Sequence, residues 1–309
     1  MRQSLAVLSL CIGLIGPAAA QPQGGVPMEY ASRDAAGVPV SLRGVLYKPE
    51  GTPRGAVVLV HGSGGWTDFR EGHYGRALGR AGYAVFAIDA FGPRGISDTV
   101  QDQSRLTNTQ MTRDALAARR LLITLGHAPD RIAVMGFSKG GIVALYAADR
   151  TYLPDETDRF AVAIPFYPGC SGRSREPKPA SVVFMALGEK DDYTGVKPCQ
   201  DLAEDYARAG GTITVKVYPN ATHGFDGNPA LTQMIRLPLV ENYMNCMVWV
   251  EPDGQQTYGD KKFPAADPAI YGELRRSCMK HGANIWTNVA QKEQATRDVV
   301  EFLDRAIGR

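Results

Sequence analysis

Short apolar runs alternate with amphipathic stretches along most of this chain, and that rhythm carries the first structural information. Residues 56–60, 83–88, 131–135, 161–166, 182–187 and 212–218 are six strand-like runs rich in Val, Ile, Ala and Phe. Runs of this length that are apolar throughout suit strands covered on both faces, as in a parallel sheet. Between them lie segments of helical period. Residues 74–81 and 199–209 are two; 111–125 places Leu116, Leu121 and Leu122 on one stripe; 291–307 does the same with Val299, Val300, Phe302, Leu303 and Ile307. Alternation of the two kinds predicts an α/β fold, a mostly parallel central sheet flanked by helices. Residues 26–47 read as an antiparallel strand pair leading into it, and 171–178, with alternating charges and prolines, as an exposed loop.

The rhythm fails at both ends of the pattern. Arg2, an apolar stretch over 5–15 and Pro17-Ala18-Ala19-Ala20 before Gln21 form a secretory signal peptide, too short for a lasting membrane anchor. The mature chain, 21–309, is then expected to be exported, periplasmic or secreted, as one α/β domain. From 226 to 288 no period is visible, and Tyr243, Trp249, Tyr258, Phe263, Tyr271 and Trp286 are scattered among Pro and Gly. This stretch reads as an insertion before the last helix, either an apolar lid that selects substrate or a small satellite core; its aromatics and cysteines speak against a disordered loop.

Composition narrows the partners. The formal charge is +2, with no basic run interleaved with aromatics, which excludes a nucleic-acid binder of the usual kind. Cys11 lies in the leader, leaving four cysteines for the mature chain. An even number in an exported protein predicts disulfides. Cys170 with Cys199 and Cys246 with Cys278 is the favoured pairing, because the first two follow adjacent strands at one sheet edge and the others bracket the insertion. Four unpaired buried thiols are the alternative. No zinc-like Cys/His spacing is present, and no metal or cofactor is called for. Oligomeric state is not legible.

Chemistry concentrates at Gly136-Phe137-Ser138-Lys139-Gly140, where an apolar run passes directly into the helix-forming segment 142–148. A G-x-S-x-G between strand and helix is a nucleophile elbow. The turn is so tight that side chains at either glycine would strike neighbouring backbone, and it lifts the serine hydroxyl to the positive end of a helix. A base and an orienting acid should follow at later strand ends. His223 in Tyr218–Phe225 and Asp191 in Gly188-Glu189-Lys190-Asp191-Asp192 occupy those places. Spacing favours Asp191 over Asp192, which is expected to point elsewhere and cap the following helix. His61-Gly62-Ser63-Gly64-Gly65, after the 56–60 run, is the expected oxyanion loop. Ser63 N–H (or Gly64 N–H) and Lys139 N–H would then bind the developing charge. The loop lacks the spacing of a phosphate-binding motif. His73, His127 and His281 have no such context.

With those pieces in place the chain resembles the dienelactone hydrolase family of α/β-hydrolases. The resemblance rests on residues 57–65, Asp89-Ala90-Phe91-Gly92-Pro93-Arg94-Gly95, the elbow, 188–192 and 218–225. It implies an α/β-hydrolase fold and a small-molecule ester or lactone as substrate. Two departures stand out: the family nucleophile is typically cysteine, here Ser138, and the family's glutamate after the first parallel strand is replaced by His61-Gly62-Ser63. A serine esterase with Ser138, Asp191 and His223 as triad is therefore the leading expectation. Arg94 matches a family position that can bind a substrate carboxylate, or else it fixes its own loop through a salt bridge. Trp66, next to the oxyanion loop, is a candidate cleft wall. The competing readings are an exported peptidase of prolyl-oligopeptidase type, disfavoured by the missing propeller, and a catalytically silent binding protein.

Overall fold

The computed structural model describes residues 24–308. Its elements in chain order are strands β1 (Val26–Arg33), β2 (Pro39–Tyr47) and β3 (Gly55–Val60), helix α1 (His73–Arg80), β4 (Tyr83–Asp89), α2 (Asn108–Thr124), β5 (Ile132–Phe137), α3 (Lys139–Ala148), β6 (Val162–Phe166), β7 (Gly172–Ser174), β8 (Val182–Gly188), α4 (Val196–Arg208) and β9 (Ile213–Tyr218). Then follow β10 (Ile235–Asn242), β11 (Val248–Val250), β12 (Gln256–Tyr258), β13 (Lys261–Phe263), α5 (Ala269–Ser277), β14 (Lys280–Ile285) and α6 (Val289–Ala306). The proposed leader lies outside the described residues.

Eight strands form the main sheet in the order β1-β2-β4-β3-β5-β6-β8-β9, antiparallel at the β1/β2/β4 edge and parallel from β4 onward. The α/β reading holds. Every residue of β3 and of β5 is buried, which explains why these strands show no alternation: helices cover both faces. One apolar layer packs Val58, Val60, Phe86 and Val134 against Met111 and Leu116 of α2 and Val143 of α3. The opposite layer packs Leu59, Val85 and Met135 against Leu78 of α1 and Val299 and Leu303 of α6. The stripe read on 291–307 is thus the face that α6 presents to the sheet.

Of the two irregular stretches, 226–288 takes the satellite-core form and the loop reading of 171–178 is corrected. Residues 226–288 are largely built into structure: β10 pairs with β14, while β11, β12 and β13 form a small sheet. Its edge strand is β7, so part of the expected loop 171–178 is instead a strand, paired in parallel with β11 through Gly172↔Val248 and Ser174↔Val250. Strands of three residues are too short to show a period, and the partner of β7 is far away in sequence. Cys246, Val248, Ile270 and Leu274 make a satellite core under this wall. Both favoured cysteine pairs are disulfides, Cys170–Cys199 and Cys246–Cys278.

Candidate active site

The elbow is formed by strand order and by two glycines. β5 delivers Phe137 to the centre of the sheet, and the chain then turns into α3 through Ser138, whose φ of 53° and ψ of −112° lie outside the usual regions. A Cβ on Gly136 would collide with the carbonyl of Gly140, and one on Gly140 with the carbonyl of Val60. Only glycine at both positions lets the turn close. Ser138 N–H donates to Phe166 O (2.9 Å), pinning the serine to the neighbouring strand end.

His223 reaches this serine from the loop after β9. Its Nε2 is 2.9 Å from Ser138 Oγ, and its Nδ1 is 2.9 Å from Asp191 Oδ2. With the ring proton on Nδ1 facing the carboxylate, the serine hydroxyl donates to Nε2. Asp191 is oriented in turn: Oδ1 accepts from Tyr193 N–H (2.8 Å) and Thr194 N–H (2.9 Å), and Oδ2 accepts from the Thr194 hydroxyl (2.8 Å). Burial works to raise the Asp191 pKa, but the charge and hydrogen bond of His223 and the Thr194 donors outweigh it and hold the carboxyl below its ordinary value. Edge-on contacts with Tyr167 and Tyr193, ring centroids 4.8 and 4.7 Å away, fix the imidazole plane.

Asp192 has a different task from the cap expected of it. It accepts from Asn284 N–H (2.9 Å) and Asn284 Nδ2 (2.5 Å), and its carbonyl accepts from Asn242 Nδ2 (3.0 Å). Adjacent carboxylates therefore divide the work, one holding the histidine and the other the β10/β14 pair.

The loop 61–65 abuts the elbow. His61 is fully buried, accepts Ala90 N–H at Nε2 (3.1 Å) and faces Gly62 O through Nδ1 (2.8 Å). Burial lowers its pKa, so the ring is a neutral strut. Ser63 lies beside Ser138 and Lys139 on the cleft wall. Its hydroxyl donates to Gln103 Oε1 (3.0 Å), and its carbonyl accepts from Thr99 N–H (2.8 Å). The Lys139 side chain runs under the same loop and donates to Gln103 O (2.9 Å) and Oε1 (3.2 Å). Burial lowers its ammonium pKa to about 7. Gln103 N–H in turn donates to Glu241 Oε2 (2.8 Å), joining the loop to β10.

Of the two candidate substrate contacts, Arg94 takes its salt-bridge alternative and Trp66 lies off the cleft. Arg94 gives Nη1 and Nη2 to Asp114 at 2.8 and 3.0 Å and does not line the cleft; a fully buried carboxylate has claimed its charge. Trp66 is also off the cleft and packs against the apolar layer that includes Leu59 and Tyr74. Conversely, Gln103, Tyr146, Tyr167, Tyr193 and Glu241 belong to the site or its supports and carried no motif. Tyr167 had one signal: it immediately follows a predicted parallel strand, where α/β folds place their functional groups. It also has a φ of 35°.

A cleft of about 860 Å³, its open mouth included, lies over Ser138 between the main sheet and the β10–α5 wall. Among the described residues no group of His, Cys, Asp or Glu is arranged to hold a metal ion, and no helix is long and apolar enough to cross a membrane.

A model of the dienelactone hydrolase family matches residues 42–231, more than half of the chain. The protein belongs to the dienelactone hydrolase family. Among solved structures of this fold, a putative dienelactone hydrolase from Klebsiella pneumoniae is similar at 21% identity and TM-score 0.52, over 65% of this chain and 88% of that one. Thermogutta terrifontis esterase 2 is similar in its apo form at 20% identity and TM-score 0.51, over 67% of this chain and 87% of that one. The same esterase phosphoramylated by tabun gives 20% and 0.52, over 68% and 88%. No curated protein matches the chain at a significant level. The family match ends at residue 231, so the β10–β14 wall lies beyond it. As a family member the chain is a dienelactone hydrolase-like hydrolase.

Proposed function

We propose that this protein is an exported serine hydrolase that cleaves a carboxylic ester or lactone through an acyl-Ser138 intermediate. The observation that carries the reading is the unbroken relay from Ser138 Oγ through His223 to Asp191, with both contacts at 2.9 Å. In acylation His223 Nε2 takes the serine proton as Oγ attacks the carbonyl carbon. Negative charge moves to the carbonyl oxygen, to be met by the N–H groups of Ser63 and Lys139. Collapse breaks the bond to the alcohol, which leaves with the proton from Nε2. Water then attacks the acyl carbon as Nε2 takes its proton, and collapse breaks the bond to Oγ, which takes that proton back from Nε2, releasing the acid and the free Ser138 hydroxyl. Asp191, held ionised, stabilises the imidazolium formed in both halves.

A serine in this setting has no need of a depressed thiol pKa, so the family's usual glutamate has no equivalent task here. His61 and Gln103 brace the oxyanion loop instead. Two disulfides and the leader-like N-terminus support an oxidising compartment. A fluorophosphonate probe tests the mechanism. It should label wild-type protein at Ser138 and not Ser138→Ala, and that variant should lose at least ~10³-fold in kcat on p-nitrophenyl acetate. A folded Ser138→Ala protein with full esterase activity would rule the mechanism out.

A further inference from the structure

We infer that the cleft over Ser138 takes an uncharged ester whose acyl or alcohol part carries an aromatic ring, and that it discriminates against esters bearing a free carboxylate. This rests on the hydrolase reading above and adds the substrate class to it.

The first observation is how the walls are built. Ile142 and Tyr146 follow Ser138 at four and eight residues along α3, so all three share one helix face and open into the cleft. Tyr193 comes from the Asp191 loop, and Tyr243 and Tyr271 from the β10–α5 wall. These rings are held by other rings. Tyr146 stacks on Tyr152 at 4.0 Å, Tyr243 meets Tyr271 edge-on at 5.6 Å, and Tyr193 meets His223 edge-on at 4.7 Å. Burial pushes the phenols of Tyr146, Tyr193, Tyr243 and Tyr271 up, so all four stay neutral. A flat ring entering here extends aromatic packing that is already preorganised. A flexible alkyl chain fills the same space only by losing rotamer freedom.

The second observation is where the charges are. Among the described residues, apart from the tyrosines and His223 on Ser138, only Lys139 and Glu241 bring ionisable side chains to the cleft lining. The Lys139 amine is 98% shielded with its residue and turned onto Gln103, and burial weakens its hold on a proton. Glu241 is committed to Gln103 N–H and, at 2.5 Å, to Arg275 Nε; Arg275 is itself shared with Asp102. Arg94, the cation that could have met a carboxylate, is spent on Asp114. An anionic substrate group would therefore be desolvated beside Tyr, Ile and Leu with no free cation and with Glu241 nearby.

Matched methyl esters test this on the mature wild-type enzyme. Methyl 3-phenylpropanoate should exceed methyl hexanoate in kcat/KM by about tenfold, the scale of one to two aromatic contacts. It should exceed monomethyl hexanedioate, which carries a free carboxylate, by about a hundredfold or more. Tyr271→Leu and, on a different element, Tyr146→Leu should each shrink the aryl-over-alkyl ratio. Equal rates on aryl and alkyl esters, a preference for the carboxylate-bearing ester, or a preference for an acetylated sugar would overturn the inference while Ser138 labelling left the hydrolase reading intact. Failure of every ester together with failure to label Ser138 would instead remove the reading on which it rests.

Discussion

Replacing Arg94 with Met distinguishes a structural arginine from a substrate anchor. The guanidinium meets Asp114 through Nη1 at 2.8 Å and Nη2 at 3.0 Å, and Nη1 also donates to Ala90 O at 2.8 Å. The Asp114 carboxylate is fully buried and keeps two neutral donors, Ser32 Oγ at 2.6 Å and Gln110 Nε2 at 3.2 Å. Removing one member of a buried ion pair costs about 3–5 kcal/mol, because the other charge is left without a counter-ion. The two remaining donors place this case near the lower end, at about 3 kcal/mol. At about 2.1 cal/mol/K per residue a domain of this size has an unfolding entropy near 0.6 kcal/mol/K, so that is roughly 5 °C in Tm. Adding Asp114→Asn removes the stranded charge and should recover much of the loss. Urea melts of wild type, Arg94→Met and the double variant, read beside kcat/KM on a neutral and a carboxylate-bearing ester, make the measurement. Activity at 20 °C should stay within about twofold on both esters. An unchanged melt together with a KM that rises only for the carboxylate-bearing ester would refute this account of Arg94.

Four further outcomes are expected. Asp191→Asn should lower kcat by roughly 10³–10⁴-fold with little change in melting. Asp192→Ala should leave the rate on a small ester within about threefold and speed proteolysis near residues 235–242, as a gel time course will show. Lys139 has its folded-state pKa lowered by burial from 10.5 to about 7, against the smaller pull of Glu241 and Asp102. The unfolded chain thus binds more protons between about pH 7 and 10.5, and the lysine's contribution to stability improves as pH rises through that window. Lys139→Met removes this dependence, so its stability relative to wild type should improve as pH falls from about 10 to about 7; a difference constant across denaturant melts in that range would contradict the burial argument. Converting Cys246 and Cys278 to Ser, which opens a link across 32 residues, should cost about 3–4 kcal/mol, measured by the same melts.

What could be read in advance follows from where the information is local. β3, β5 and β8 announced themselves because a strand buried on both faces must be apolar throughout, and each ends at a residue pattern with its own chemical meaning. Ser138 and Asp191 were legible because each follows such an end, and His223 because it follows the next strand, β9, in the chain order a triad needs. β7 and β11 were not, since three residues show no period and their pairing joins segments on either side of four other elements. Gln103 lies in an irregular segment whose only regularity is one short turn, and its value comes from touching Ser63, Lys139 and Glu241 at once. Arg94 shows the opposite failure. Its motif was visible, but the carboxylate that claims it sits in mid-helix at Asp114, in a position that reads as an ordinary polar residue of α2.

In the proposed exported protein, the order in which the cysteines would enter an oxidising compartment gives the parallel seam between 172–174 and 248–250 a kinetic meaning. Cys170 and Cys199 emerge before either of the others and can oxidise while they have only each other to meet. By the time Cys246 appears, the one sulfur it could wrongly capture near its docking strand is already sealed, leaving Cys278 as its remaining mate. Entry in chain order would thus favour the two native crosslinks, and a circular permutant that presents 246–278 ahead of 170–199 should form more mispaired disulfide.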